Sequence, residues 1–242
     1  MAPTVEILSD KATLIERAHE LTVKTLQNAI AQRDQATIAL SGGSTPKPLY
    51  ASLISADLPW ERIYVFWGDE RYVPHDHPKS NALMTQEAWL NHVPIPEDNI
   101  FPIPTGADDP AADAATYERT LKQFFQSGSG EFPAIDFVLQ GMGDDGHTAS
   151  LFPHTPALDV TDRLVTVGDH SGEPRITFTA PLIKQGRNVV FLVAGENKQN
   201  ALSQVFSSDA DARTYPSKLI QPANPHWLLD ATAGAGVPDP FK

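Results

Sequence analysis

The sequence predicts a doubly wound α/β fold, a mostly parallel sheet flanked by helices on both faces. Three observations lead there. Short apolar runs at 36–40 (ATIAL), 63–67 (IYVFW), 135–140 (IDFVLQ) and 188–193 (NVVFLV) have the length and side-chain character of buried strands. Segments of helical period separate them, as the crossovers between parallel neighbours require. The runs end in turns rich in glycine or charge, at the strand ends beyond which ligands collect in such sheets.

The elements follow in order. Ile15, Ala18, Thr22, Leu26 and Ala29 recur at helical spacing behind Asp10, a candidate cap, and predict a first helix over 11–32. ATIAL then passes into SGGSTPKPLYASL, a glycine-containing turn followed by a helix from about Pro46. IYVFW runs into GDERYVP, with a helix expected over 81–90. The proline-rich stretch 93–104 reads as a surface crossover, and 111–125 as a helix that GSGEFP breaks. IDFVLQ feeds GMGDDGHTASLFP; 164–167 and 175–178 are weaker strand candidates. NVVFLV leads through GENK into a helix over 199–206, and HWLL at 226–229 is a last strand. A chain of 242 residues suits one domain spanning 1–242, since a single core of that size buries most of its own apolar surface.

Composition narrows the function. Eighteen Lys and Arg against 30 Asp and Glu leave a formal charge of -12, which opposes nucleic-acid binding. Glu6, Asp10, Lys11, Glu16, Arg17 and Glu20 leave no apolar stretch near the start for a signal peptide or membrane span, so a cytoplasmic protein with no membrane partner is expected. With no cysteine, chemistry must come from His, carboxylates, hydroxyls and basic groups. An acidic chain can take an anion only where N–H groups and a few cations converge.

Several segments offer such groups. In SGGSTP, Gly42 and Gly43 let backbone approach an anion while Ser44 and Thr45 can donate to it; the plainer alternative is a capped strand-to-helix turn. The segment lacks the lysine of a P-loop and the third glycine of a dinucleotide fingerprint, so no nucleotide cofactor is expected. Asp69, Glu70 and Arg71 follow a buried strand: Arg71 can fork onto phosphate and Asp69 can bind a hydroxyl or move a proton, unless the cluster is a surface ion pair. His75, Asp76 and His77 read as a solvated turn rather than a metal site. Arg175 and Lys198, at strand ends, either complete an anion site or are solvated surface. In DGH, His147 has the side chain whose ordinary pKa suits proton transfer near neutrality, and Asp145 can hold its tautomer across Gly146.

Taken together, LSGGSTPKPLY, FWGDERYVPHDHPKSN, DFVLQGMGDDGHTASLFP, RITFTAP and VVFLVAGENK resemble the 6-phosphogluconolactonase family, in order and over nearly the whole chain. The resemblance implies a glucosamine-6-phosphate deaminase-like α/β fold. It also implies hydrolysis of a sugar-phosphate lactone, 6-phosphoglucono-1,5-lactone, in the oxidative pentose phosphate pathway. It makes His147 the catalytic residue, with Asp145 and Asp69 both open as its partner. Gly42, Gly43, Ser44, Arg71, Arg175 and Lys198 would hold the 6-phosphate end. The related deaminases carry a Glu five residues after the His, where this chain has Phe152, which cannot shuttle a proton. A non-catalytic sugar-phosphate sensor is a further alternative, but one helix before the first motif strand and an acidic surface ill suit DNA binding.

Overall fold

A computed structural model describes residues 3–220, 225–239 and 241. Its strands are β1 (Thr4–Leu8), β2 (Ala36–Leu40), β3 (Ile63–Trp67), β4 (Asp69–Arg71), β5 (Ile100–Phe101), β6 (Phe137–Gln140), β7 (Val165–His170), β8 (Glu173–Phe178), β9 (Val189–Val193) and β10 (His226–Asp230). The helices are α1 (Lys11–Arg33), α2 (Lys47–Leu53), α3 (Asn81–Ala88), α4 (Pro110–Phe125), α5 (Ala180–Lys184), α6 (Gln199–Val205) and α7 (Ala231–Gly234).

Seven strands form one sheet in the order β1-β10-β9-β6-β2-β3-β5, and every neighbouring pair in it is parallel. This is the parallel, helix-covered sheet that the apolar runs predict. β2, β3 and β9 read as runs that are apolar but for Thr37 because both faces of the sheet are covered, and β2 and β9 are buried at every position. After β2 the chain moves outward through β3 to β5, then returns to β6 on the other side of β2 and moves outward again through β9 and β10. The reversal between β2 and β6 opens a crevice at their carboxyl ends. At their amino ends, Asp136 closes the same gap: it accepts from the Thr37 amide and hydroxyl, each at 2.9 Å, and from Arg33 at 2.7 Å.

Four features depart from the sequence reading. β1, short and half-exposed at the sheet edge, carries too little apolar signal to stand out. β5 is a two-residue strand inside the proline-rich crossover. The charged triplet 69–71 is not a loop but β4, which pairs antiparallel with β8, itself antiparallel to β7, in a separate three-stranded sheet. The two weaker strand candidates thus belong to this small sheet. The helix expected over 81–90 stops at Ala88 and continues as a 3-10 turn over Leu90–His92.

Local chemistry accounts for the principal helices. Asp10 caps α1 by accepting from the Thr13 amide at 2.8 Å, and Leu14, Ala18, Thr22, Leu26 and Ala29 form its buried face. α3 is capped twice: by Ser80 from its own N-cap and by Glu70 of β4, whose buried carboxylate accepts from the amides of Asn81 (2.7 Å) and Ala82 (2.8 Å). That second cap ties the small sheet to the helix beside the crevice. No helix among the described residues is long and apolar enough to cross a membrane.

Candidate active site

The crevice holds a cavity of about 290 Å³, walled by the segments after β2, β6 and β9 and by β4 and β8. The turn after β2 is braced by Tyr50, whose hydroxyl donates to the Ser41 carbonyl (2.6 Å) and accepts from the Ser41 amide (3.0 Å). Gly42 must lack a side chain, because a Cβ there would lie 1.8 Å from Asn81 Oδ1. Gly43 has φ +102, a left-handed conformation open to glycine. The hydroxyls of Ser44 and Thr45 do not cap α2, whose N-cap is Pro46 with no side-chain bond. All four residues line the cavity.

Alternation along β4 divides its three side chains. Asp69 and Arg71 line the cavity, while Glu70 turns away to cap α3. Asp69 accepts from the Ser150 hydroxyl at 2.7 Å. Arg71 donates to the Lys79 carbonyl (2.9 Å) and to Asn81 Oδ1 (2.5 Å), and Asn81 in turn donates to the Asp69 carbonyl (2.9 Å). Arg175 sits opposite Arg71 in the β4–β8 register. Burial and the neighbouring Arg71 charge both lower the Arg175 pKa from its ordinary value. Its Nε is buried with no hydrogen-bond partner among the described residues. Asp69, Glu173 and Glu70 act in the opposite sense on Arg175, and two adjacent guanidinium groups at a cavity wall can take an anion, which would relieve their mutual repulsion. Lys198, just past β9, lines the same cavity.

After β6 the chain closes a tight turn through Gly146 N–H to the Gly143 carbonyl (3.1 Å), with Gly146 at φ +82. Asp145 Oδ1 then accepts from the His147 amide (3.0 Å) and from the His147 ring Nδ1 (2.6 Å). Burial alone would raise the Asp145 pKa, but the ring and amide bonds from His147 outweigh it and hold the carboxyl below its ordinary value. With Nδ1 carrying the proton toward Asp145, Nε2 of a neutral imidazole keeps its lone pair. His147 lines the cavity and Asp145 stands behind it.

The structure therefore gathers His147, Asp69, Gly42, Gly43, Ser44, Thr45, Arg71, Arg175 and Lys198 around one cavity. Of the two carboxylates open as partners of His147, Asp145 makes the contact and Asp69 is engaged with Ser150. Sequence reasoning gave no role to Asn81 or Ser150. Both are buried and act on site residues from other segments, a relation that no local pattern displays. His75 and His77 lie outside this cavity: one bonds the Ile103 carbonyl at 2.8 Å, the other accepts from the Lys79 amide at 3.0 Å.

A model of the family "Glucosamine-6-phosphate isomerases/6-phosphogluconolactonase" matches residues 9–229. A 6-phosphogluconolactonase of Synechocystis is 59% identical over 98% of this chain and 99% of its own length. One of Mycobacterium tuberculosis is 36% identical over 98% of this chain and 100% of its own. Among solved structures, the 6-phosphogluconolactonase of Trypanosoma brucei superposes with a TM-score of 0.84 at 31% identity, covering 98% of this chain and 99% of that one. A monomeric glucosamine-6-phosphate deaminase has a TM-score of 0.80 at 20% identity, over 96% of this chain and 99% of its own, and so shares the fold.

Proposed function

The chain belongs to the glucosamine-6-phosphate isomerase/6-phosphogluconolactonase family, and on that premise we propose that it hydrolyses 6-phosphoglucono-1,5-lactone to 6-phosphogluconate, a step of the oxidative pentose phosphate pathway. One observation carries this reading. The His147 imidazole is tethered through Nδ1 to Asp145 at 2.6 Å, in the wall of a cavity that Arg71, Arg175 and Lys198 also line.

In the proposed mechanism, Nε2 of neutral His147 takes a proton from a water molecule as the water oxygen attacks C1 of the lactone. Asp145 keeps the reactive tautomer and offsets the charge of the imidazolium. When the tetrahedral intermediate collapses, the bond from C1 to the ring oxygen breaks. The imidazolium returns its proton to that oxygen, which becomes the C5 hydroxyl, and the new carboxylic acid ionises into solvent. Asp69, oriented by Ser150, lies close to the lactone and accepts from a sugar hydroxyl. The turn residues Gly42, Gly43, Ser44 and Thr45, with Arg71, Arg175 and Lys198, hold the phosphate and so set the position of C1.

Ring opening by a deaminase needs a second proton carrier beside the base. Here the Phe152 ring lies 4.5 Å from the His147 ring, which favours a lactone. The test is a coupled assay in which glucose-6-phosphate dehydrogenase generates the lactone and spontaneous hydrolysis is subtracted. His147→Ala is expected to lower kcat by about 10²–10⁴-fold with little change in KM. Equal turnover by the variant and the wild type would remove His147 from the chemistry. Ammonia release from glucosamine 6-phosphate would reverse the choice of substrate.

A further inference from the structure

Phe152 is buried, and its ring meets three polar groups at once. Its centroid lies 4.5 Å from that of His147, 4.7 Å from that of His170 on β7, and 5.6 Å from the guanidinium carbon of Arg175. The segment that carries it is clamped to both sheets. Thr148 donates to the Gln140 side chain (2.7 Å) and the Gly141 carbonyl (2.8 Å), and the Ser150 amide donates to Thr177 of β8 (3.1 Å). The ring is therefore a fixed body between the two candidate site groups.

Each of those groups needs such a body. Among the described residues, the His147 side chain is held by one acceptor through Nδ1, a bond that by itself leaves the imidazole plane free to swing. Arg175 makes no side-chain hydrogen bond to protein among the described residues, and the largest single charge effect on it is repulsion by Arg71, with Asp69, Glu173 and Glu70 pulling the other way. An aromatic ring supports both: packing against an imidazole restricts its rotation, and its π-system attracts a guanidinium.

We propose that Phe152 is a positioning residue that ties the base to the anion site, fixing the plane of His147 and supporting the Arg175 guanidinium, so that phosphate and base keep one separation. This rests on the lactonase reading for what His147 and Arg175 do. The ring does not line the cavity that His147 and Arg175 line; it acts through those two residues.

The experiment uses the full chain, inorganic phosphate as the binding probe and the lactone assay for turnover. Phe152→Leu is expected to weaken phosphate binding about three- to tenfold, the loss of one partly desolvated cation–π contact. It is also expected to raise KM and to lower kcat by about tenfold through the loosened base. Phe152→Tyr, which keeps the ring, should restore both to within about twofold. In an Arg175→Gln background, Phe152→Leu should weaken phosphate no further, because the partner it supports is gone. The proposal is overturned if Phe152→Leu matches the wild type, if Phe152→Tyr falls as far as Phe152→Leu, or if the phosphate loss is undiminished in the Arg175→Gln background. Should Phe152→Leu fail to fold, Phe152→Met is judged by the same criteria. A wild-type protein without lactone turnover would refute the lactonase reading alone, since the phosphate cycle still decides whether Phe152 supports Arg175.

Discussion

A methyl group at residue 143 would lie 2.2 Å from His147 Nδ1 and 2.5 Å from Asp145 Oδ1. Gly143→Ala must therefore displace the pair. A shift of about 1 Å in a base can cost about 10²-fold in rate, and that is the expected fall in kcat. Phosphate affinity should stay unchanged, because the cations lie on other segments. A variant with wild-type kcat would mean that the pair does not act where the structure holds it. The DGH unit was legible in the sequence because its parts are local: Asp145 reaches His147 across one glycine. The choice between Asp145 and Asp69 was not legible, since it depends on Ser150 engaging Asp69 from another segment. Asn81 was silent for a similar reason, as it joins Arg71 and the Asp69 backbone, which it follows by ten residues or more, and packs against the Gly42 turn.

The strongest strands, β2, β3 and β9, could be read to within a residue because burial on both faces makes each a run that is apolar but for Thr37. β4 could not, because a strand of Asp, Glu and Arg has no apolar signature and is held by its partners. Glu70 shows what holds it. Its carboxylate accepts from the amides of Arg71, Asn81 and Ala82 and from the Ser80 hydroxyl, at 2.7–3.1 Å. Glu70→Gln would turn an amide N–H₂ toward two of these donors, and a loss of about 1–3 kcal/mol is expected, read as a lower urea midpoint. Burial raises the Glu70 pKa above its ordinary 4.5, against the pull of the backbone bonds. A raised folded-state value means that this group's contribution to stability is complete below pH 4.5 and declines as pH rises through the folded value. Glu70→Gln lacks that decline, so the gap between the two proteins should be widest at acid pH and narrow toward neutrality. A gap that widens with pH would contradict the assignment of burial as the dominant cause.

At the scale of the whole molecule, the alternation of strands and helices was enough to expect a parallel sheet with ligands at its carboxyl edge. It could not show that the reversal falls between β2 and β6, since strand order depends on pairings between distant segments. Net charge enters here as well. A chain of charge -12 repels an anion at long range, while cations gathered in one cavity wall, as Arg71, Arg175 and Lys198 are, attract an anion at close range. The two effects separate by salt: the screening length is about 30 Å at 0.01 M and about 10 Å at 0.1 M. At the lower salt a sugar phosphate feels the whole acidic surface; at the higher, chiefly the cavity. With a weakly coordinating salt, kcat/KM for the lactone should therefore rise over this range. It should fall again toward 1 M, where a screening length of about 3 Å weakens the local cations too. In Arg71→Gln the rise should persist and the later fall should flatten, because one of the close-range charges is gone. A wild-type rate that declines steadily from the lowest salt would mean that the cavity cations outweigh the acidic surface even at long range.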